Sequence, residues 1–261
     1  MENRWAEGEY DRRPALAGDL VYRDVGVIVA GGGPPTALAT KAATATISFV
    51  FISGSDPIKD GLVSSFNRPG GNATGVYLFV KRWRQKKLEL LSALVPQNAL
   101  IILVNPKNPS VNVKSNELQI ASQVLGRQIR IFNASTEGDI DTAFETLTQQ
   151  GAGALLVGAD PFFSARRAQF VNLAARHALP TIGEWREFVA AGGLMSYGTS
   201  ITDAYRQAGV YTGRILKGEK PADLPVIQSI KFEFVINLNT ARAFGLSFPP
   251  GLLAIADEVI E

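Results

Sequence analysis

The sequence predicts an α/β fold with two similar Rossmann-like lobes, each containing a parallel β-sheet flanked by helices. Short apolar runs rich in β-branched residues alternate with Ala-rich helical stretches along the 261 residues, and this alternation is typical of parallel sheets with crossover helices. The order of strand, proline-containing loop, helix, strand and glycine-rich passage then occurs a second time. We therefore expect two lobes joined by crossing strands at a hinge, with a cleft at the carboxyl ends of their strands.

Lobe 1 is predicted over residues 1–76 and 194–230, and its elements begin with an Ala-rich helix. The strand VGVIVA follows and stops at GGGPP, because glycine and proline interrupt a strand pattern. A second strand, ISFVFIS, leads through GSDP into a helical pattern and then into the glycine-rich passage RPGGNATGV. The predicted elements are helices at 13–23, 36–44 and 58–66 and strands at 25–30 and 47–53.

Lobe 2 is predicted over residues 77–193 and 231–261, and it follows the same order. The basic helix KRWRQKKLELLSALV leads to the strand ALIILV and the turn NPKNPS. A helix, the strand QIRIFNA and another helix come next, followed by the apolar strand GALLVG, the loop ADPFF and a further helix and strand. The predicted elements are helices at 81–95, 111–126, 139–150 and 164–178 and strands at 99–104, 128–134, 153–158 and 180–184.

Composition and charge exclude several classes of function. An apolar content of 46% supports a packed core. The net charge is +2, and the basic residues are scattered apart from the one dense run KRWRQKK, so we expect no nucleic-acid partner. The absence of cysteine excludes disulfides, thiolate nucleophiles and Cys-ligated metals. The single histidine, His177, excludes multi-histidine metal sites, and its place near a helix end indicates a structural role rather than Ser-His-Asp catalysis. We expect no cofactor and no metal.

The loop GGGPP is the first candidate site. It fails the dinucleotide pattern G-x-G-x-x-G, because Thr36 stands where the third glycine belongs, and it lacks the Gly-Lys-Ser/Thr of a phosphate loop. Glycine still allows the backbone to approach a ligand, and the following helix points free N–H groups that favour a carboxylate. Gly33 and Pro34 are therefore candidate ligand contacts, and a simple tight turn is the alternative.

The loops after the next two strands carry small polar side chains. Ser53 is a candidate for a direct hydrogen bond to a ligand, whereas Asp56 precedes a proline and suits either a helix N-cap or a place beside the cleft. In NPKNPS, Asn105 and Asn108 offer donors and acceptors at a helix start that match an amino-acid-like solute. The same residues are strong turn formers, so a structural role is the alternative.

The loop ADPFF places an acidic residue and two aromatic residues after a buried strand. Asp160 is suited to pair with a ligand ammonium group or to cap the next helix. We expect that Phe162 and Phe163 are not both in the core and that one of them, Phe162 in our assignment, lines a mostly apolar pocket.

The segments GEWREF and SYGTS follow the last strands of lobe 2. Glu184, Trp185 and Arg186 are candidate cleft residues, and the Arg186 guanidinium is suited to hold a carboxylate through two hydrogen bonds. A surface salt bridge is the alternative for Arg186. Tyr197 and Ser200 are expected near the hinge and the pocket, where the chain returns to lobe 1.

Many of these stretches resemble one protein family. VIVAGGGPPTALATKAAT, VSSFNRPGGNATGV, LVNPKNP, GALLVGADPFF, AGGLMSYG and RILKGEKPADLPV are similar to ABC transporter substrate-binding proteins of the tryptophan-binding type, which have a type I periplasmic-binding-protein fold. The resemblance covers almost the whole chain. It implies a monomeric, extracytoplasmic protein that captures a small solute, such as an amino acid or an aromatic acid, and delivers it to a membrane permease.

The chain also departs from the family pattern. Family members begin with a signal peptide followed by a strand and a helix, whereas this sequence starts with ENRWAEGEYDRR and shows no such leader. We expect lobe 1 to lack its first strand and helix, which would leave an open strand edge. Relatives carry Asp followed by Asn at the place of Asp160, so Pro161 indicates a different ligand contact.

Two other classes of protein are compatible with parts of the sequence, a regulator and a hydrolase. The ligand-sensing domain of a LacI-like regulator shares this fold class, but the sequence contains no helix-turn-helix. A carboxylate-dependent hydrolase would use Asp56, Asp160, Glu184 and Glu187, yet these residues form no recognisable catalytic spacing. The interpretation is therefore a binding protein rather than an enzyme.

Overall fold

The computed structural model describes residues 1–78, 81–95, 99–108, 111, 120, 123 and 125–261, with the backbone alone for 81–84. The helix predicted over 111–126 lies largely outside these residues. The described strands are β1 (Val27–Ala30), β2 (Ser48–Ser53), β3 (Ala73–Leu78), β4 (Leu100–Val104), β5 (Ile129–Asn133), β6 (Ala154–Val157), β7 (Thr181–Gly183), β8 (Met195–Thr199), β9 (Ile227–Ser229), β10 (Phe232–Asn237) and β11 (Glu258–Ile260). The described α-helices are α1 (Arg13–Tyr22), α2 (Pro34–Ala43), α3 (Lys81–Leu94), α4 (Glu137–Gln149), α5 (Pro161–Ala165), α6 (Arg167–Arg176), α7 (Arg186–Ala190), α8 (Ile201–Leu216), α9 (Leu238–Ala243) and α10 (Pro250–Ala254).

The chain forms two compact units. Unit 1 comprises Met1–Val80 and Ser200–Lys231, and unit 2 comprises Lys81–Thr199 and Phe232–Glu261. The predicted return of the chain to lobe 1 at residue 194 is wrong, because β8 is hydrogen-bonded between β7 and β10 in the sheet of unit 2. Strand pairing therefore keeps residues 195–199 in unit 2 and moves the boundary to Ser200.

Unit 1 has a four-stranded parallel sheet in the order β1-β2-β3-β9. Apolar side chains of the strands and of α2 form its core, including Ile28, Ala37, Phe49 and Phe51. Helix α2 begins directly at Pro34, because proline fixes φ for the first helical turn and needs no N–H partner there. β1 lies at an edge of the sheet, and the side chain of Val29 in this strand is 46% exposed.

The helix predicted over 58–66 is absent, and a series of turns takes its place. The amides of Ile58 and Lys59 donate to the Asp56 carboxylate, which starts the turn. Gly61 then adopts a φ of +68°, and the backbone of Leu62 folds back to donate to Pro57. A left-handed glycine ends helical propagation at this point.

Unit 2 has a seven-stranded sheet in the order β11-β10-β8-β7-β6-β4-β5, in which only the β8–β10 pair of the described strands is antiparallel. The strands β4 and β6 inside this sheet are continuous apolar runs that are buried throughout, whereas the edge strand β5 is partly exposed. Two apolar clusters cover the faces, one around Ile102 and Phe234 and the other around Phe144 and Phe170. Because β4, β6, β7 and β8 are parallel neighbours, their carboxyl ends lie at one edge, which we call the carboxyl edge of unit 2.

Candidate functional site

Three predicted contact residues form a buried cluster at the carboxyl edge of unit 2. Asn105 follows β4 directly and Asp160 comes three residues after β6, so two adjacent strands bring them together. Nδ2 of Asn105 donates to Oδ1 of Asp160 at 3.1 Å, and Nδ2 of Asn108 donates to Oδ2 at 2.7 Å. The three side chains are at most 4% exposed. All three side chains thus lie at one edge of the sheet, and the two amides bind the carboxylate directly.

Asp160 also caps a helix, which was one of its two predicted roles. Its Oδ1 accepts from the backbone N–H of Phe162 at 2.9 Å, and α5 begins at the next residue, Pro161. The helix predicted to start at residue 164 therefore begins three residues earlier. It is interrupted at Arg166, where φ is −106° and ψ is 22°, before α6 continues. Both carboxylate oxygens of Asp160 thus bind groups of unit 2 itself.

The expectation that Phe162 and Phe163 are not both in the core is wrong. Phe162 is 3% exposed and Phe163 is 2% exposed, and both belong to the apolar cluster around Phe144. Their rings lie 5.7 Å apart, and the Arg166 guanidinium covers the Phe162 ring at 4.1 Å. Because α5 is short and turns both residues onto the sheet, consecutive aromatic side chains fit into one core.

Arg186 makes the surface salt bridge that was the alternative to a ligand contact. Its Nε and Nη2 donate to the two oxygens of Glu258 at 2.7 Å and 2.6 Å, and both side chains are partly exposed. This pairing raises the pKa of Arg186 and lowers the pKa of Glu258, in each case mainly through the hydrogen bonds between them. The carboxylate-binding face of this guanidinium is therefore occupied by Glu258.

Glu184, Trp185 and Tyr197 also lie at or near the carboxyl edge. Glu184 and Trp185 follow β7 and are partly buried. Tyr197 lies within β8, and its ring stacks on Phe232 at 6.3 Å and meets Phe234 edge to face at 6.1 Å. These aromatic contacts hold Tyr197 against the sheet of unit 2, beside the end of β8.

The glycine loop of unit 1 has the local geometry that a close backbone approach requires. Tyr205 of α8 donates a hydrogen bond to the carbonyl oxygen of Gly31 at 2.9 Å, and a Cβ on Gly31 would lie 2.9 Å from atoms of that ring. Gly33 has φ 77° and ψ −171°, a conformation that is essentially restricted to glycine. Pro34 then starts α2. The turn predicted from GGGPP is present, and its ligand role stays a prediction.

The polar residues after β2 are satisfied within their own loop. The hydroxyl of Ser53 donates to the carbonyl oxygen of Ser55 at 3.0 Å and accepts from the Ser55 amide at 3.2 Å, and Ser53 is fully buried. Asp56 caps the following turn through its Oδ1. In the second segment of unit 1, Ser200 is the N-cap of α8 and accepts from the Asp203 amide at 3.4 Å.

Two polar groups at the carboxyl edge of unit 2 were not identified as a pair from the sequence. The Nε1 of Trp185 and the Oγ1 of Thr199 are buried and have no hydrogen-bond partner among the described residues. The sequence places Trp185 in a candidate loop, but nothing in it distinguishes Thr199 from other strand residues, because solvent exclusion of a hydroxyl depends on tertiary packing.

Within the described part of the chain, no group of three or more acidic or histidine side chains is arranged to hold a metal ion. None of the described helices is both long enough and apolar enough to span a bilayer.

Two solved structures share the fold over almost the whole chain. An ABC domain from Streptococcus pneumonia in complex with L-Trp matches with a TM-score of 0.84 and 24% identity, covering 97% of this chain and 87% of that one. A conserved domain protein from Vibrio cholerae matches with a TM-score of 0.86 and 23% identity, covering 98% and 86%. These likenesses define the fold class as that of type I periplasmic binding proteins.

The sequence comparisons then give the family. Residues 3–260 match the family described as ABC transporter substrate binding protein, and the chain belongs to this family. A tyrosine-binding protein of Clostridioides difficile is 25% identical over 215 residues, which is 81% of this chain. The chain spans 61% of the length of that relative. The predicted family and fold class are confirmed.

Proposed function

We propose that this chain is the solute-binding component of an ABC importer and that it captures a small amino-acid-like solute or an aromatic acid for delivery to a membrane permease. The match to the substrate-binding family over residues 3–260 is the observation that carries the proposal. Relatives described as tyrosine-binding and as bound to L-Trp support the choice of solute class. Family membership favours this role over the LacI-like sensor and the hydrolase.

The carboxyl edge of unit 2 supports binding because its loops are fixed before a solute arrives. The hydrogen bonds from Asn105 and Asn108 to Asp160 tie the loop after β4 to the loop after β6. Such an internal cluster limits the entropy lost when the loops contact a ligand. We propose that Asn105, Asn108, Asp160 and Phe162 act mainly through this positioning.

A zwitterionic solute also needs a partner for its ammonium group. Both oxygens of Asp160 accept hydrogen bonds from unit 2 itself. Glu184 is the other predicted carboxylate at this edge and is partly buried. We therefore assign the ammonium contact to Glu184. The Arg186 guanidinium holds Glu258 and is left out of the proposed contacts. The remaining predicted contacts stay part of the proposal: Gly33, Pro34, Ser53, Asp56, Tyr197 and Ser200.

The proposal also covers the location, the oligomeric state and the partners of the protein. We propose an extracytoplasmic monomer that binds its solute without transforming it and has no nucleic-acid partner. Its interaction partners are the solute and the permease, as in the family to which the chain belongs.

A thermal-shift screen tests the proposal. The purified chain is heated with amino acids, aromatic acids and sugars, and we expect a saturable rise in the melting temperature with at least one amino acid or aromatic acid, because a ligand that binds only the folded state stabilises it. No saturable shift with any amino acid or aromatic acid would contradict the proposed solute class.

A matched pair of variants then tests the ammonium contact. Glu184→Gln removes a carboxylate at the carboxyl edge, whereas Glu187→Gln makes the same change at an exposed position three residues later. We expect the first to weaken binding of the stabilising amino acid about tenfold, since a hydrogen bond to a charged group contributes about 1.5–3 kcal/mol. Equal affinities of the two variants would contradict the assignment.

A further inference from the structure

The indole N–H of Trp185 is an unusual group at the carboxyl edge of unit 2. Trp185 follows β7 by two residues, and its side chain as a whole is only partly buried. Its Nε1 is nevertheless shielded from solvent and has no acceptor within the described part of the chain. A buried indole N–H usually finds a hydrogen-bond partner, because leaving it unsatisfied costs free energy.

Trp185 stands at the N-cap of the short helix α7. The next aromatic residue along the chain, Phe188, packs in the apolar cluster around Phe144, together with Val189. These two side chains anchor the helix on the sheet of unit 2, and Trp185 precedes them at the carboxyl edge.

Thr199 supplies a second unsatisfied group at the same edge. It is the last residue of β8, is 1% exposed, and its hydroxyl has no partner among the described residues. β7 and β8 are parallel neighbours whose last paired residues are Gly183 and Ser196. Trp185 and Thr199 therefore lie two and three residues past this pair, where both chains leave the β7–β8 ladder.

We infer that Trp185 and Thr199 form a carboxylate subsite, in which the indole N–H and the threonine hydroxyl donate to oxygens of the bound solute. This inference rests on the proposed solute-binding function. It names the chemical group that the solute presents to unit 2.

The donor chemistry selects a carboxylate. An indole nitrogen only donates, so its partner must be an acceptor, and a threonine hydroxyl can donate to a second oxygen of the same group. The neighbouring guanidinium of Arg186 already donates to both oxygens of Glu258. Neutral donors therefore replace the guanidinium that the sequence predicted for this task.

Nuclear magnetic resonance tests the indole contact directly. The chain has three tryptophans, so the ¹⁵N spectrum contains three indole N–H signals, which the Phe variants of Trp5, Trp83 and Trp185 assign. We expect L-tyrosine to move the Trp185 signal downfield, as a new hydrogen bond does, and to move the Trp5 signal little, because Trp5 is 72% exposed in unit 1. An unmoved Trp185 signal at saturating L-tyrosine would overturn the inference.

Calorimetry with matched variants and ligands gives a second readout. Trp185→Phe keeps an aromatic ring and removes the N–H, and Thr199→Val keeps the shape and removes the hydroxyl, so each should weaken L-tyrosine binding about tenfold. Ser196→Ala is the control, because Ser196 also has a buried hydroxyl without a described partner but lies within the β7–β8 ladder. It should bind L-tyrosine like the wild type. Tyramine lacks the carboxylate, so its affinity should be the same for the wild type and Trp185→Phe.

The outcomes separate this inference from the function on which it rests. If the wild type binds L-tyrosine and both variants bind it equally well, the subsite is overturned and the proposed function stands. If the wild type binds only solutes without a carboxylate, the subsite is again overturned, together with the solute class. If the wild type binds no solute, both proposals are overturned.

Discussion

The loops at the carboxyl ends of the two sheets are stabilised in different ways. In unit 2, the Asp160 side chain accepts from side chains that follow a different strand, so two loops depend on one buried acidic residue. In unit 1, the loop after β1 relies on the backbone conformation of Gly33, and the loop after β2 is satisfied by Ser53, Ser55 and Asp56 within the same segment.

This difference shows why identical residue types have different roles in one protein. Asp160 and Asp56 both follow a strand and both precede a proline, and both cap the backbone that comes next. Asp160 differs from Asp56 in being only 3% exposed and in accepting hydrogen bonds from two side-chain amides. Removing each contact should therefore have effects that decrease from the buried cluster of unit 2 to the exposed groups.

The largest effect is expected for Asp160→Ala. The substitution removes the carboxylate to which three buried groups donate, namely the Asn105 and Asn108 amides and the Phe162 N–H. Each unsatisfied buried group costs about 1–3 kcal/mol, so we expect a loss of about 3 kcal/mol or more in the free energy of unfolding. Urea denaturation followed by circular dichroism measures it. A loss below about 1 kcal/mol would contradict a tightly coupled cluster.

The next effect is expected for Gly33→Ala. Because Gly33 has a φ of 77°, alanine there should lower the free energy of unfolding by about 2 kcal/mol. Gly209→Ala is the matched control, since Gly209 lies within α8 and nothing approaches its Cβ position within 4 Å. That control should raise stability by about 0.5–1 kcal/mol. Thermal unfolding should show a lower melting temperature for Gly33→Ala and a higher one for Gly209→Ala than for the wild type. Shifts of the two melting temperatures in the same direction would contradict the account.

A smaller loss is expected for Asp56→Ala. The carboxylate caps the turn through the Ile58 and Lys59 amides, and these contacts are exposed. Loss of such a cap costs about 1 kcal/mol. The same urea experiment that measures Asp160→Ala checks this value, and the comparison between the units fails if Asp56→Ala proves as destabilising as Asp160→Ala.

The smallest effect is expected for Arg186→Gln. The salt bridge with Glu258 is partly exposed, so its removal should change the free energy of unfolding by at most about 1 kcal/mol. Pairing lowers the pKa of Glu258 below its usual value of 4.5. The stabilisation is therefore present above that pH and is lost as the pH falls through the lowered pKa. Wild type and variant should converge in acid, and a difference that grows below pH 4 would contradict this sign.

Much of the fold could be predicted because it depends on local pattern. The apolar runs predict six of the eleven described strands, β1, β2 and β4 to β7, and the order of elements predicts parallel pairing, whereas β3 and β8 form in passages that the sequence marks as glycine-rich. The segment 58–66 differs because Asp56 and Gly61 act together to fold it into turns, although its composition favours a helix. The assignment of β8 to unit 2 depends on its pairing with β10, which is distant in sequence.

The sequence predicts which residues follow the strands, but not which partners their side chains bind. Strand ends identify Asn105, Asp160 and Glu184 as neighbours at one edge, since parallel strands end together. The sequence does not show that the Asp160 carboxylate accepts hydrogen bonds within unit 2 or that Arg186 pairs with Glu258. Both interactions join residues that are far apart in the chain. Burial of the Trp185 N–H and the Thr199 hydroxyl is likewise a property of the folded chain.

The central claim is that this chain holds an amino-acid-like solute and releases it unchanged. Titration calorimetry with an isotopically labelled form of the amino acid or aromatic acid that gives the largest thermal shift, followed by mass spectrometry of the released solute, tests both parts of the claim together. We predict saturable binding of one molecule per chain and recovery of the labelled solute without any change in mass. The absence of saturable heat, or recovery of a converted product, would contradict the account.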